Sequence, residues 1–409
     1  MKRDRLVTGL DLGSTRTCAI IGEATGDVRV PGIRVLGVGI ARNQGVRRGM
    51  VRDVEETVRA IGLAVKDAER MAGVQAGPMT IGLAGEHVQT RRESGLASVT
   101  GQEISRADVA RVDEVAKAVT LGPDRELLHH IPQEYKVDGQ GGIADPTGMT
   151  GLRLEVDMYL VSVQATAAQN LRRAVERAGY RAHEQVLEPL AASLAVLTAE
   201  ERELGCCLLD LGGWSTTMAV FHDGKIRHFA SVKFAGHHVT SDLVQGLAVS
   251  QADAERLKER SGVAFPPLVD PDQSVDLPSA PGHGARSVKQ ELLAHIIHQR
   301  LDEILGLVQQ ELERAGWAQK LPAGVILTGG GAHLTGMVEL TRDVLALPVR
   351  PGLPERGITG LVDSVHAPRY AVPVGLALWA ARQRLHGVSS GASVDRLLGP
   401  VRRWLQDFF

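Results

Sequence analysis

The chain has 409 residues, 44% hydrophobic and 23% charged, with a formal net charge of -2. That length suggests roughly two to four domains of ordinary globular composition, neither disordered nor fibrous. The near-zero charge and an aromatic content of 3% supply neither a basic field nor a base-stacking platform, which excludes nucleic acid as a partner.

The opening MKRDRLVTG lacks the apolar h-region of a signal peptide, and no apolar run approaches about 18 residues. Leu6–Leu12 and Thr17–Gly22 read as two strands joined by a tight turn, and Arg34–Ala41 as a third. Asp53–Ala72 reads as a helix, with Val54, Val58, Ile61 and Val65 on one face and Asp53 and Glu56 at capping-box spacing. Met79–Leu83 is a further strand. Residues from 85 to about 161 change character: a helix capped by Ser105 and a Gly/Pro-rich stretch read as a small inserted α+β unit. Strand Met158–Gln164, helix Ala167–Ala178, strand Ala182–Leu187 and helix Pro189–Leu197 then resume an α/β pattern. A second hairpin follows, with Asp223–Gly224 as a type I′ turn. Next come helices His237–Leu247 and Gln251–Arg260, a loose loop over 263–286, and a long helix from Ser287 to Ala315. The stretch GVILTGGGAHLTGM reads as strand, glycine turn and helix. Cys18, Cys206 and Cys207 lie in apolar runs without metal-ligand spacing and read as buried, reduced thiols of a cytoplasmic protein.

One feature occurs twice. GLDLGSTRTCAII (Gly9–Ile21) and CCLLDLGGWSTTMAVF (Cys206–Phe221) both run apolar strand, Asp, spacer, Gly, hydroxyl residues, apolar strand. Such a turn presents backbone N–H groups and hydroxyls to an anion, and glycine admits close approach of a phosphate. The Asp is too negative to meet phosphate itself and suits an outer ligand of a hydrated divalent cation. Two facing copies would clamp a triphosphate and its metal, and duplication accounts for the repeat. Gly329, Gly330 and Gly331 leave no side chain in the way of an adenine or an α-phosphate. Glu255 and Lys258 share a helix face and could meet ribose and base, or equally form a solvated pair.

This order of motifs resembles the actin/Hsp70/sugar-kinase ATPase superfamily. HHIPQEYKVDGQGGIADPTGMTGLRLEV (His129–Val156), LEPLAASLAVLTAEERELG (Leu187–Gly205), FAGHHVTSDL and AERLK are similar to its FtsA branch of bacterial cell-division actin homologues. The resemblance implies an α/β, two-lobed fold with duplicated ribonuclease-H-like cores. The first core would take residues 1–84, 162–200 and 366–386, and the family insert 85–161. The second would take 201–236 and 321–365, with an adenosine-side subdomain at 237–320. It further implies ATP and Mg2+ between the lobes. Asp11, Gly13, Ser14 and Thr15 would form one phosphate loop, and Asp210, Gly212, Gly213, Ser215 and Thr216 the other. Gly236, Glu255, Lys258 and Gly329–Gly331 would hold the nucleoside, and Asp11 and Asp210 the metal through water. Glu188 stands where relatives position the attacking water, although a carboxylate at a helix start is also favoured by the dipole alone. Two positions depart from the pattern: Cys18 replaces the lysine of actins, which argues against fast hydrolysis, and Trp214 replaces a loop glycine.

After a linker at 387–393, residues 394–409 place Leu397, Leu398, Val401, Trp404, Leu405, Phe408 and Phe409 on one helical face, opposite Arg402, Arg403, Gln406 and Asp407. This reads as an amphipathic membrane-surface helix, the alternative being a helix docked on the protein's own core. The implied function is a cell-division protein that polymerises on the cytoplasmic face of the inner membrane at the division site. Its expected partners are the C-terminal tail of FtsZ, further copies of itself, other division proteins and anionic lipid. A PilM-type pilus-assembly homologue, a sugar or acetate kinase and an Hsp70-like chaperone are the alternatives. The insert is expected to serve protein contacts rather than nucleotide.

Overall fold

The computed structural model describes residues 5–27, 30–119, 121–277 and 286–389. Strands β1 (Leu6–Leu12) and β2 (Arg16–Gly26) close the first hairpin with Asp11 opposite Cys18, and β3 (Pro31–Arg42) extends the meander. A small ladder, β4 (Val46–Arg47) with β5 (Met50–Val51), leads into α1 (Val54–Ala72). Asp53 caps this helix by accepting from Glu56 N at 3.0 Å, but the Glu56 carboxylate turns to Arg59 instead of closing the capping box. Strand β6 (Met79–Leu83) then pairs parallel to β1.

The insert is a separate sheet: β7 (Val88–Ser98), β8 (Arg125–Val137), β9 (Gln140–Ile143) and β10 (Arg153–Gln164) in the order β7-β10-β8-β9, with α2 (Arg106–Lys117) packed on it around its own apolar core. Helix α3 (Ala165–Arg177) and strand β11 (Ala182–Leu187) return the chain to the first sheet. Helices α4 (Glu188–Val196) and α5 (Ala199–Leu204) cross to the second lobe. There β12 (Cys206–Leu211), β13 (Thr216–His222) and β14 (Lys225–Val232) repeat the meander, followed by α6 (Gly236–Leu247) and α7 (Gln251–Ser261). The remaining elements are β15 (Ser274–Leu277), β16 (Arg286–Lys289), α8 (Gln290–Arg314), β17 (Val325–Thr328), α9 (Met337–Leu345), β18 (Val349–Pro351), β19 (Ile358–Gly360) and α10 (Ala371–Ser389).

The two large sheets run β11-β6-β1-β2-β3-β19 and β14-β13-β12-β17-β18. In both, a three-stranded antiparallel meander is extended by two strands parallel to its first. One hydrophobic cluster fills the first lobe and continues onto one face of the second sheet through Cys206, Leu208, Ala219 and Phe221, and a second cluster covers that sheet's other face. The repeated turn is therefore one corner of a repeated core. In both sheets it lies at the C-terminal end of the meander's first strand, where open α/β sheets bind ligands.

Four expectations change. The segment 263–286 is not wholly a loose loop, because Ser274–Leu277 pairs with Arg286–Lys289 and its alternate residues Val275 and Leu277 are buried. The long helix consequently begins at Gln290, since Ser287 is held opposite Asp276 in that ladder. The triple glycine does not open an α-helix directly: a 3-10 turn (Gly331–His333) intervenes and α9 starts at Met337. Helix α10 also continues to Ser389, into the stretch read as a linker. Residues 394–409, with the whole apolar tail face, lie outside the described residues. Among those described, no helix is long and apolar enough to cross a membrane.

Candidate functional site

The two Asp-x-Gly turns have the same local geometry. A Cβ on Gly13 would stand 2.9 Å from Arg16 O, and one on Gly212 would stand 2.7 Å from Ser215 O. In each turn the glycine sits two residues past the Asp, where a side chain would meet the turn's own carbonyl. Each turn is braced from behind. Asn43 donates from Nδ2 to Gly13 O (3.1 Å) and from its N–H to Thr15 O (3.0 Å). Gly236 and His237, the first residues of α6, donate to Gly212 O (3.2 Å) and Gly213 O (2.7 Å). A Cβ on Gly213 would collide with the Thr15 side chain, so the two turns touch across the cleft. The Thr216 hydroxyl does not face that cleft. It is buried and donates to Phe234 O at 2.8 Å, because strand alternation turns it inward.

Asp11, Asp210 and Glu188 converge at the cleft floor. Burial raises the Asp11 carboxyl to about 7, against the pull of Arg16 and with a further push from Asp210. Burial also raises Asp210, opposed by a hydrogen bond from Thr328 Oγ1 (3.0 Å) and by Arg16. Glu188, the first residue of α4, lies well above the carboxylate range through burial and then the charges of Asp11 and Asp210. Three acids that resist ionisation together mark a place short of positive charge, which a divalent cation would supply. No group of three or more His, Cys, Asp or Glu among the described residues is placed to hold a metal directly.

The pH dependence follows in sign. Asp11 holds its proton up to about pH 7, whereas a metal prefers the carboxylate, so metal binding releases protons. Between pH 6 and 8, magnesium-dependent nucleotide affinity should rise about tenfold. Without metal, the same raised group makes folding stability fall as pH climbs from about 4 to about 7, above which the loss is complete. Calorimetric titrations at the two pH values check the first expectation, and a pH-independent affinity contradicts it.

Beside the second turn, Gly329 has φ +84, and a Cβ there would stand 2.6 Å from Leu211 O and 2.8 Å from Asp210 Oδ1. A Cβ on Gly330 would meet nothing within 4 Å. Gly329→Ala should therefore cost about 1–3 kcal/mol of stability, whereas Gly330→Ala should leave the melting temperature unchanged and act on ligand affinity alone. Equal melting shifts for the two variants would contradict this reading. Glu255 and Lys258 do pair (2.8 Å), and both are tied to α6. Lys258 Nζ donates to Gly236 O (3.0 Å) and Thr240 Oγ1 (2.8 Å), while Glu255 accepts from the Thr240 hydroxyl. The structure thus sets the two turns against each other and places Gly236, Gly329 and Gly331 beside the second one, with Thr216 turned away and the Glu255–Lys258 pair already partnered.

The model of the SHS2 domain inserted in FtsA matches residues 85–162, and the model of the cell division protein FtsA matches 207–375. The cell division protein FtsA of Pseudomonas aeruginosa is 35% identical over 99% of this chain and 98% of its own. That of Escherichia coli K12 is also 35% identical, over 99% and 98%. The chain belongs to the FtsA family of cell division proteins. The actin-like fold of this FtsA member has solved counterparts. The PilM-PilN type IV pilus biogenesis complex gives a TM-score of 0.65 at 17% identity, over 92% of this chain and 98% of that one. MreB5 of Spiroplasma citri bound to ADP gives 0.57 at 14%, over 95% and 99%.

Within this FtsA chain, the structure adds one residue that sequence reading missed, Arg16, and gives Cys18 and the IPQEY stretch their places. Arg16 is the cation that faces both Asp11 and Asp210, and its guanidinium donates to Arg369 O beside the Tyr370 ring. Strand alternation places it on the same face as Cys18, which was the available signal. Cys18 itself is buried and pushed up to about 12, a neutral thiol unable to replace a lysine. The IPQEY stretch is internal: Ile131, Gln133 and Tyr135 are buried in β8. Pro132 sits at a β-bulge, where the extra residue Gln133 turns its carbonyl to Lys225 Nζ (2.8 Å) and its side-chain oxygen to Arg227 (2.9 Å). The stretch therefore fastens the insert to β14 of the second lobe.

Proposed function

We propose that this chain binds ATP with Mg2+ between its lobes, polymerises on the inner membrane face and tethers the tubulin-like protein FtsZ there. The observation that carries the reading is the pair of geometrically equivalent Asp-x-Gly turns touching across one acid-lined cleft, in a chain of the FtsA family. Gly13, Ser14 and Thr15 would cradle the phosphates from one lobe, and Gly212, Gly213 and Ser215 from the other. Asp11 and Asp210 would orient the hydrated metal, whose charge would ease their ionisation. The glycines at 329–331 and Gly236 would bound the nucleoside, with Lys258 and Glu255 behind it. MreB5, a structural neighbour, was solved with ADP and with AMPPNP, which supports a nucleotide in the equivalent place.

Burial and then the charges of Asp11 and Asp210 raise the Glu188 carboxyl well above the carboxylate range, which disfavours the carboxylate that would position water until the cation arrives. Together with the neutral Cys18, it points to nucleotide-controlled assembly rather than rapid chemistry. Phosphate release should stay below about 1 per second, under the range of dedicated enzymes, and faster turnover by the protein alone contradicts this. The pilus-assembly alternative rests on fold alone, at 17% identity. The deciding experiment is co-sedimentation of the protein with anionic vesicles, ATP and FtsZ. FtsZ should pellet only when this protein is present, and excess FtsZ tail peptide should release it. Vesicles that recruit this protein but not FtsZ would remove the tether from the proposal.

A further inference from the structure

Trp214 and its surroundings have no part in the reading above. The indole has two partners: His237 stacks on it at 3.8 Å between centroids and 17° between planes, and the Arg47 guanidinium lies 4.8 Å from the ring centroid. Arg47 comes from the β4–β5 ladder of the first lobe, and Trp214 from the repeated turn of the second. Against them opens a cavity of about 370 Å3 lined by Arg47, Arg48, Arg52 and Trp214.

The charges in this cavity do not balance. The carboxylate that pairs with Arg48 is Glu86, at 3.7 Å, and Glu86 is shared with Lys233 at 3.6 Å. Arg47 and Arg52 form no ion pair among the described residues. Arg48 Nε is buried without a hydrogen-bond partner. Three guanidinium groups that converge with open donors repel one another, and one of those donors is buried and unsatisfied. A tetrahedral dianion relieves both conditions, since it accepts from several guanidinium forks at once, whereas one carboxylate matches a single fork.

We infer that Arg47, Arg48, Arg52 and the edge of Trp214 form a second anion site, specific for a phosphate dianion and separate from the nucleotide cleft. The site goes beyond the nucleotide reading, because its residues take no part in the two phosphate turns beyond Trp214 itself. Free orthophosphate and the terminal phosphate of a bound nucleotide share the necessary chemistry, so the test separates them.

The full chain is titrated with orthophosphate by calorimetry and by tryptophan fluorescence at constant ionic strength, with and without a saturating amount of magnesium AMPPNP. The wild type should bind orthophosphate at about 1 mM or tighter, with the same affinity when AMPPNP is present. Trp214→Phe should keep the heat and lose the fluorescence change. Arg52→Ala, an exposed substitution whose side chain makes no ion pair among the described residues, should weaken orthophosphate about tenfold at unchanged melting temperature. Arg48→Ala, which also leaves Glu86 to Lys233 alone, should weaken orthophosphate likewise but at a lowered melting temperature, and Arg48→Lys should recover part of both losses. No orthophosphate binding by the wild type, equal affinity in the arginine variants, or one-for-one displacement by AMPPNP would each overturn the site.

Discussion

Asp210→Ala is expected to weaken magnesium-dependent ATP binding by about 10–100-fold, the range seen when a group supporting a metal is removed, without loss of the fold. The fold should survive for two reasons. Asp210 is held in β12 by backbone pairing with β13 and β17, which the substitution leaves intact. Its carboxylate is also a buried charge raised by desolvation beside Asp11 and Glu188, so its removal relieves repulsion in the metal-free protein. Thr328 Oγ1 loses its acceptor at 3.0 Å but retains Leu209 O at 3.4 Å. The melting temperature without nucleotide should therefore hold or rise, while the stabilisation that magnesium ATP gives the wild type disappears. Asp210→Asn serves as the isosteric control: it keeps an acceptor for Thr328 and loses only the charge. Unchanged ATP affinity in a folded Asp210→Ala variant would show that the cleft does not bind nucleotide through these turns.

The parts of this site that could be read from the chain are those whose physical requirement is local. Gly13 and Gly212 are needed by their own turns, and the Asp two residues before each keeps that spacing wherever the strand goes. The spacing of Glu255 and Lys258 likewise specifies a shared helix face. Their engagement with Thr240 and Gly236 is a packing outcome between α6 and α7, beyond the reach of periodicity. Arg47 illustrates the limit. It lies in an unremarkable stretch, NQGVRRGMVR, and acquires meaning only because the second lobe carries Trp214 to its face. The ladder of Ser274–Leu277 with Arg286–Lys289 was hidden for a different reason. Its strands have four residues each, set in Pro-, Ser- and Asp-rich sequence, so the two buried positions, Val275 and Leu277, are outvoted by their neighbours. The IPQEY stretch was distinctive in sequence, but its position in the fold turns it toward the second lobe.

Trp404→Glu, and likewise truncation after Ser393, is expected to release the protein from anionic vesicles while leaving ATP binding untouched. Pro400 suits the first position of a helix, which leaves Val401 to Phe409, under three turns. A helix shorter than about 12 residues is marginal in water, so the apolar face needs lipid to make helix formation favourable. Each large side chain buried contributes roughly 1.5–3 kcal/mol at most, and ordering each residue costs about 1–2 kcal/mol. The two nearly cancel, so a single tail should bind weakly and reversibly. Firm attachment would then require several tails on one polymer, acting through effective concentration. Arg396, Arg402 and Arg403 outnumber Asp395 and Asp407, and a cytoplasmic leaflet rich in anionic lipid attracts such a segment. On the helix that the sequence pattern predicts, Trp404 would lie mid-face, suited to the headgroup boundary, and a glutamate there would place a charge where the apolar face must enter. Vesicle co-sedimentation of wild type, Trp404→Glu and the truncation, with and without ATP, reads the effect. The wild type should pellet, more so under polymerising conditions, and a synthetic tail peptide should gain helical circular dichroism on addition of vesicles. Equal pelleting of all three proteins would remove the tail as the anchor, and membrane attachment would then have to reside in the two lobes or the insert.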